Sequence, residues 1–411
     1  MWDEVGIEAM NFYGGEVTID VAKLFQHRQL DTSRFDNLMM KNKSVAMPYE
    51  DAVVFAVNAA RPLIDSLTDD ERNEIDLLIV GSESGIDFGK SISNYVHPFL
   101  MLSRRCRMFE TKQACFAGTA ALQAAYAHIY AHPNKKAKAL VITSDVARPA
   151  RNTYVEPSQG AGAVAMLISR NPQIMAFDHG ASGLHSFHVM DTFRPDPFIE
   201  AGDIDLSLLT YIECFEHAFD DYASKVEGCD FVDTFGLLAF HTPFPGMVKG
   251  AHRKVFRKVK QAPPTQVNED FLQRVMPSIV WCQQVGNIYT GTVYLALASA
   301  ITHASLEIET RIGIFSYGSG CSSEFYSGVI SPRSQSVLAK MNIAGQLAER
   351  HQLSCEDYDA VVESISQIKF GTANVRLDPE MFPWSKLPSG SVARRLALVE
   401  IRDYERIYAW R

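Results

Sequence analysis

KQACFAGTAALQAA, residues 112–125, places a cysteine where a run of glycine, threonine and alanine begins. Small residues at successive turns let a helix lie deep against its neighbours. The unpaired N–H groups of a helix start lower a thiol pKa and favour negative charge nearby. Cys115 is therefore a candidate nucleophile. A small core residue is the competing reading, because free cysteine is among the most buried residue types.

Around this stretch the chain alternates apolar runs with helical patterns. IDLLIVGSESG (75–85), KALVITSDVA (138–147), GAGAVAMLI (160–168), FGLLAFHTP (235–243) and RIGIFSYGSG (311–320) predict buried strands of a mixed α/β fold. Their ends carry Glu83, Asp145, His241 and Ser319, at the edge where such folds keep their chemistry.

A second small-residue helix opens in GNIYTGTVYLALASA (286–300), and it sets Asn287 against Cys115 as a matching helix start. The chain thus divides into two related halves. Residues 1–170 carry Glu83 and Cys115, and residues 171–411 carry His241 and Asn287. The second half includes an insertion of helices at about 184–230 and an extension at about 331–411 with the Pro-containing loop DPEMFPWSKLPSG (378–390).

Composition narrows the function. A chain of 411 residues, 47% hydrophobic, buries a large core, and its net charge of -9 offers nothing general to nucleic acid. The seven cysteines form no C-x-x-C pair and no zinc spacing, so neither a disulfide framework nor a metal is expected, and the compartment reads as reducing and cytoplasmic. MWDEVGIEAMNFYGG is acidic where a signal peptide is basic, and no apolar run reaches the roughly 18 residues of a membrane span.

Taken singly, each candidate has an ordinary explanation. His241 suits a structural turn fixed by Pro243, Asn287 suits a helix cap, and Glu83 between serines suits a turn carboxylate. Together, a cysteine, a histidine, an asparagine and a carboxylate at strand and helix ends form a set suited to carbon–carbon chemistry on thioesters.

QACFAGTAA, SESG, FHTPF, GNIYTG and FSYGSG, in this order and spacing, resemble the 3-hydroxy-3-methylglutaryl (HMG) synthases of the thiolase superfamily over essentially the whole chain. GIEAMNFYGG, GSESGIDFGKS, HTPFPGMVKGAHR and FSYGSGCSSEFYSG are similar to the branch that installs β-branches in polyketides more than to the mevalonate-pathway enzymes. The resemblance implies a thiolase-like fold in αβαβα layers and a homodimer. It also implies acetyl transfer to Cys115, proton abstraction by Glu83 and polarisation of the acceptor carbonyl by His241. Asn287, Tyr317, Gly318, Ser319, Asp145 and Asp191 stand by the same resemblance as substrate-binding or supporting residues. Asp145 and Asp191 also suit a strand-end turn or an ion pair with Arg148 or Arg194.

No permanently bound cofactor is implied. The acyl groups arrive on the phosphopantetheine arm of an acyl carrier protein, one carrier donating acetyl and another presenting the acceptor, or on coenzyme A. Mevalonate-pathway relatives usually place a lysine five residues after the histidine, near the coenzyme A tail, where this chain has Gly246. KGAHRKVFRKVK (249–260) predicts an amphipathic helix with Val248, Ala251, Val255, Phe256 and Val259 on one face, and Lys249, Arg253, Arg257 and Lys260 on another. That basic face suits carrier docking or plain solvation. A mevalonate-type synthase, an initiating ketosynthase and a non-catalytic carrier-binding homologue remain as alternatives. Glu83 argues against the ketosynthase, which needs no base there.

Overall fold

Each of the five apolar runs becomes a strand, for a simple reason: consecutive residues point to opposite faces, and both faces are covered. In Ile75–Gly81, Leu77 and Ile79 enter one apolar cluster while Leu78 and Val80 enter another. The computed structural model describes residues 4–148, 150–197, 199–385 and 395–411. The predicted loop 378–390 therefore runs partly outside the described residues.

Nine strands form one sheet: β1 (Gly6–Tyr13), β2 (Ile75–Gly81), β3 (Arg107–Thr111), β4 (Lys138–Val146), β5 (Ala161–Ser169), β6 (Met175–Ser186), β7 (Leu237–Phe240), β8 (Thr310–Gly318) and β9 (Ser322–Ile330). Their spatial order is β7-β8-β9-β6-β1-β5-β4-β2-β3. Outward from the middle, β1-β5-β4-β2 and β6-β9-β8-β7 repeat one pattern of antiparallel, antiparallel and parallel pairs, so the two sides share a topology. They join weakly: β1 and β6 are paired only at Gly6↔Ala176 and Ile7↔Met175.

The principal helices are α1 (Ala52–Asp65), α2 (Ala117–Ala131), α3 (Ile204–Lys225), α4 (Pro245–Lys260), α5 (Thr292–His303) and α6 (Cys355–Ser366). α2 and α5 share one cluster with strand residues of both sides, while α1 covers the first group of strands and α3 and α4 cover the second. This is the αβαβα layering that the resemblance implies. Thr119 on α2 bonds Ser316 Oγ of β8 at 2.7 Å and meets the Tyr294 hydroxyl of α5 at 2.8 Å, so α2 reaches across to the other side.

The small residues of KQACFAGTAALQAA now have a cause. A Cβ on Gly118 would stand 2.4 Å from the Thr290 carbonyl oxygen, which only glycine allows. α5 is buried nearly all round, packed in one cluster with α2 and with strand residues of both sides of the sheet.

Three expectations change. The region 184–230 is not all helical: β6 runs on to Ser186, a hairpin of Thr192–Asp196 and Ile199–Gly202 follows, and only then α3 begins. Turn-rich TFRPDP hid the hairpin. Cys115 and Asn287 are not equivalent either, since Cys115 precedes α2 by two residues and Asn287 precedes α5 by five. The equivalent residues are Ala114 and Tyr289, each three ahead of its helix and each left-handed, with φ of 42° and 50°. Third, Val259 is 40% exposed, because α4 has outrun its packing partners by that turn.

The extension wraps the first half. His351–Leu353 adds a strand beside Val17–Asp20, and Leu396–Arg402 lays Leu398 on Val54 of α1. Arg28 ties Glu156 to Asp359 of α6, with 2.9 Å from Nε to Glu156, and buried Lys43 bonds the Tyr358 hydroxyl at 2.9 Å.

Candidate active site

A turn presents Cys115, not the helix itself. Ala114 bends the chain with its positive φ, and two strand-end glycines, Gly81 of β2 and Gly318 of β8, let the turn pack against the ends of both strands. A Cβ on Gly318 would stand 2.5 Å from Phe116 N and 2.6 Å from Gln113 O, and one on Gly81 would stand 2.9 Å from Ala117 O. Any side chain at Gly318 displaces the nucleophile.

The Cys115 thiol donates to Glu83 Oε1 at 3.1 Å. Asp145 holds the Glu83 turn in place: its Oδ1 accepts from Glu83 N at 2.9 Å and from Ser84 Oγ at 2.9 Å. Its Oδ2 accepts from the hydroxyl of Thr290 and from Thr290 N, the latter at 3.0 Å, so the buttress behind Glu83 spans both halves. Asp191 does the same for the other wall, accepting from the Tyr317 hydroxyl and, at 2.9 Å, from Gly320 N, and not from Arg194.

His241 ends β7. Its N–H donates to Phe315 O at 2.7 Å and its carbonyl accepts from the Tyr211 hydroxyl at 2.7 Å, which fixes the backbone while the ring Nδ1 meets no hydrogen-bond partner. Asn287 caps neither following helix: its Oδ1 accepts from Tyr289 N at 2.8 Å and from Thr292 Oγ1 at 2.9 Å in a local side-chain turn, which leaves its amide nitrogen to offer. Cys115, Glu83, His241, Asn287, Tyr317 and Ser319 line one cavity of about 1390 Å³; Asp145, Asp191 and Gly318 stand behind its wall.

Electrostatics overturn one expectation. Burial, then the Glu83 carboxylate beside it, push the Cys115 thiol well above its ordinary range, where the sequence predicted a lowered value. Desolvation and an adjacent negative charge outweigh the partial charge of a helix start. Burial also pushes Glu83 up to about 7, opposed by Arg194. Burial alone pulls His241 down to about 3, so its imidazole is neutral at neutral pH.

Sequence reasoning missed the role of Arg194. Its Nη1 lies 3.4 Å from the Glu83 carbonyl and 3.8 Å from Glu83 Oε2, its Nη2 bonds Glu200 at 3.1 Å, and the guanidinium covers the Tyr289 ring at 4.8 Å. Glu200 also accepts from Gln159 at 3.2 Å. The hairpin carries both Arg194 and Glu200, and no spacing rule marks a hairpin that folds over a site elsewhere in the chain.

On α4, Phe244 and Met247 line the cavity from the helix start, while exposed Lys249, Arg253 and Arg257 lie further along. Lys254 and Lys258 pair with Glu216, and Lys260 with Asp230 at 3.3 Å, so the stripe without a carboxylate partner among the described residues is Lys249, Arg253 and Arg257. A Cβ at Gly246 would stand 1.7 Å from Asn37 O, so the turn Phe35–Leu38 occupies the space a lysine would need. Two groups have metal-ligand geometry among the described residues, Asp76 with His128 and His132, and His185 with Glu213 and His217; neither lines the cavity. No helix among the described residues is long and apolar enough to cross a membrane.

A layered α/β fold with a cysteine and a carboxylate in contact inside a shared cavity defines a thiolase-like acyl-transfer site. The models for the hydroxymethylglutaryl-coenzyme A synthase N terminal and C terminal match residues 1–173 and 255–380, and the chain belongs to that family. It is 49% identical over 98% of its length, and 99% of the relative's, to the polyketide biosynthesis 3-hydroxy-3-methylglutaryl-ACP synthase PksG of Bacillus subtilis. It is 35% identical over 87% of its length, and 91% of the relative's, to the hydroxymethylglutaryl-CoA synthase of Enterococcus faecalis. Among solved structures, the HMG synthase of the curacin biosynthetic pathway in complex with acetyl donor-ACP superposes with a TM-score of 0.96 at 51% identity, covering 99% of this chain and 100% of that one.

Proposed function

We propose that this protein is an HMG-ACP synthase of polyketide β-branching, with Cys115 as nucleophile, Glu83 as base and His241 as carbonyl-polarising donor. The contact between the Cys115 thiol and the Glu83 carboxylate carries the reading, because it gives one pair of groups both a thiol to acylate and a base to form an enolate.

In the first half-reaction the thiol passes its proton to Glu83 as sulfur attacks the acetyl thioester. The N–H groups of Cys115 and Ser319 supply the oxyanion site, and Glu83 returns the proton to the departing carrier thiol. Glu83 then takes a proton from the acetyl methyl group. The enolate attacks the β-ketone of the acceptor, whose oxygen receives a hydrogen bond from neutral His241 and then the proton held on Glu83. Asn287 orients the acceptor through its amide nitrogen. Water finally cleaves the thioester to Cys115, giving back the thiol and leaving a carboxymethyl branch beside a tertiary alcohol.

The carriers are acyl carrier proteins that present phosphopantetheine, one loaded with acetyl and one with the acceptor. Gly246 supports this over coenzyme A, because the turn packed on it leaves no room for a lysine at that position. Lys249, Arg253 and Arg257 are the proposed docking stripe for an acidic carrier. Intact-protein mass after mixing with equal acetyl-carrier and trideuteroacetyl-coenzyme A tests the first point: the adduct on Cys115 is predominantly the unlabelled acetyl group from the carrier. Reversing Arg253 and Arg257 to glutamate lowers transfer from the carrier about tenfold or more at low salt, with little change from a small thioester. Equal losses with both donors remove the docking role.

Arg194 sets the pH range of the base. Its positive charge holds Glu83 below the value that burial alone would give, so Arg194→Gln moves the acid limb of the condensation rate upward by about one pH unit or more. Activity lost at neutral pH returns in alkaline buffer. A loss equal at every pH would assign Arg194 a purely structural role.

A further inference from the structure

We infer that His185, Glu213 and His217 form a binding site for a divalent transition-metal ion of the zinc(II) class, outside the catalytic cavity, where the end of β6 meets α3. The thioester chemistry has no use for these residues, since none of the three lines the cavity. As a set they suit a metal: two imidazoles and one carboxylate, with a fourth position open to water.

Local structure brings them together. Glu213 and His217 stand four residues apart on α3, so both project from one face of that helix. His185 comes from the strand on which this part of α3 packs. The two elements approach closely, because a Cβ on Gly183 would stand 2.1 Å from the Ala218 carbonyl oxygen, and Leu184 N donates to Asp221 Oδ2 at 2.7 Å. β9 holds His185 from the other edge, where Ser323 Oγ donates to its carbonyl at 2.6 Å. One ligand atom of each residue lies within 4.8 Å of the other two, and the imidazole centroids are 4.7 Å apart.

Hydrogen bonding separates this group from the other histidine–carboxylate cluster. There, Asp76 Oδ1 is 3.0 Å from His128 Nε2 and Oδ2 is 2.8 Å from His132 Nε2, so each ring nitrogen already has a partner. His185 Nε2 is buried, meets no hydrogen-bond partner among the described residues, and stays 3.9 Å from Glu213 Oε1. That gap is too long for a hydrogen bond, yet one ion between the two atoms spans it at roughly 2.0–2.2 Å to each. A buried ring nitrogen without a partner is costly, and a metal bond removes the cost. Glu213 and His217 are exposed, so their side chains can turn to complete the shell.

The ion ties β6 to α3. Beyond β6 the chain passes through Phe187, whose carbonyl accepts from Cys321 N at 2.7 Å, to Asp191 behind the catalytic wall. The clamp therefore steadies the second half of the fold without entering the reaction.

Zinc chloride is titrated calorimetrically into the full chain at about pH 7.5, where imidazole is free to bind. Wild type binds zinc in the micromolar range, and His217→Ala and Glu213→Gln each weaken that binding about tenfold or more. His132→Ala, in the other cluster, binds as wild type does. Saturating zinc raises the unfolding midpoint of wild type by about 2 °C or more and leaves that of His217→Ala within about half a degree. Cobalt(II) in place of zinc gives visible d–d absorption without thiolate charge transfer. Acetylation of Cys115 at the wild-type rate reports that each variant has folded. Absence of zinc binding to wild type overturns the inference, as do unchanged affinity in His217→Ala and Glu213→Gln and equal thermal shifts in wild type and His217→Ala. Weakened binding in His132→Ala alone places the ion at Asp76, and a thiolate band places it on a cysteine; either result also overturns the inference.

Discussion

Glu83→Ala accepts acetyl on Cys115 and stops there: intact-protein mass shows a persistent acetyl adduct, and condensation falls by about a thousandfold or more. Two opposed effects act on the first step. The Cys115 thiol donates to Glu83 at 3.1 Å, so the variant loses its nearest proton acceptor. The same carboxylate is one of the groups that raise the thiol, and without it ionisation becomes easier. Acylation therefore survives at a reduced rate, because easier ionisation of the thiol partly offsets loss of its proton acceptor. The second step has no such compensation, because removing a proton from the acetyl methyl group needs a base within reach, and no other carboxylate contacts Cys115 among the described residues. Failure to form the adduct would make Glu83 indispensable to acylation and remove the support for its separate role in proton abstraction.

His241→Ala lowers condensation by about a hundredfold to a thousandfold, the range for loss of one donor to a developing oxyanion. The acid limb of its pH profile stays where wild type has it. Burial holds the imidazole at about 3, so His241 does not titrate near neutrality, whereas Glu83, raised to about 7, does. The base form of Glu83 is gained as pH rises through that value, so wild-type condensation climbs between about pH 6 and 8 and then levels. A variant with a lower plateau and an unchanged limb fits these roles. Disappearance of the limb in His241→Ala would give the titration to the histidine.

The strands were legible because each apolar run is bounded by glycine or polar turns, and a sheet covered on both faces has no alternation to confuse them. KGAHRKVFRKVK was legible as a helix for the opposite reason, a clear separation of faces, and it erred only at Val259, where the packed face ends. The hairpin Thr192–Asp196 with Ile199–Gly202 was not legible. Short, half-exposed strands carry little periodic signal, and TFRPDP looks like a turn. Arg194 was hidden with it, visible only as a neighbour of Asp191 when its partners are Glu83 and Glu200.

The sequence by itself determined the layered α/β fold, the cysteine at a small-residue helix, and the set of groups that chemistry on a thioester requires, because these depend on residue type and local spacing. Tertiary structure alone decided the charge states. Burial and a carboxylate 3.1 Å away raise the Cys115 thiol against the local pull of the helix start. Desolvation and long-range neighbours depend on which distant segments meet. The same holds for Gly118 and Gly318, since what forbids a side chain at either is backbone from elsewhere in the chain, Thr290 for one and Gln113–Phe116 for the other.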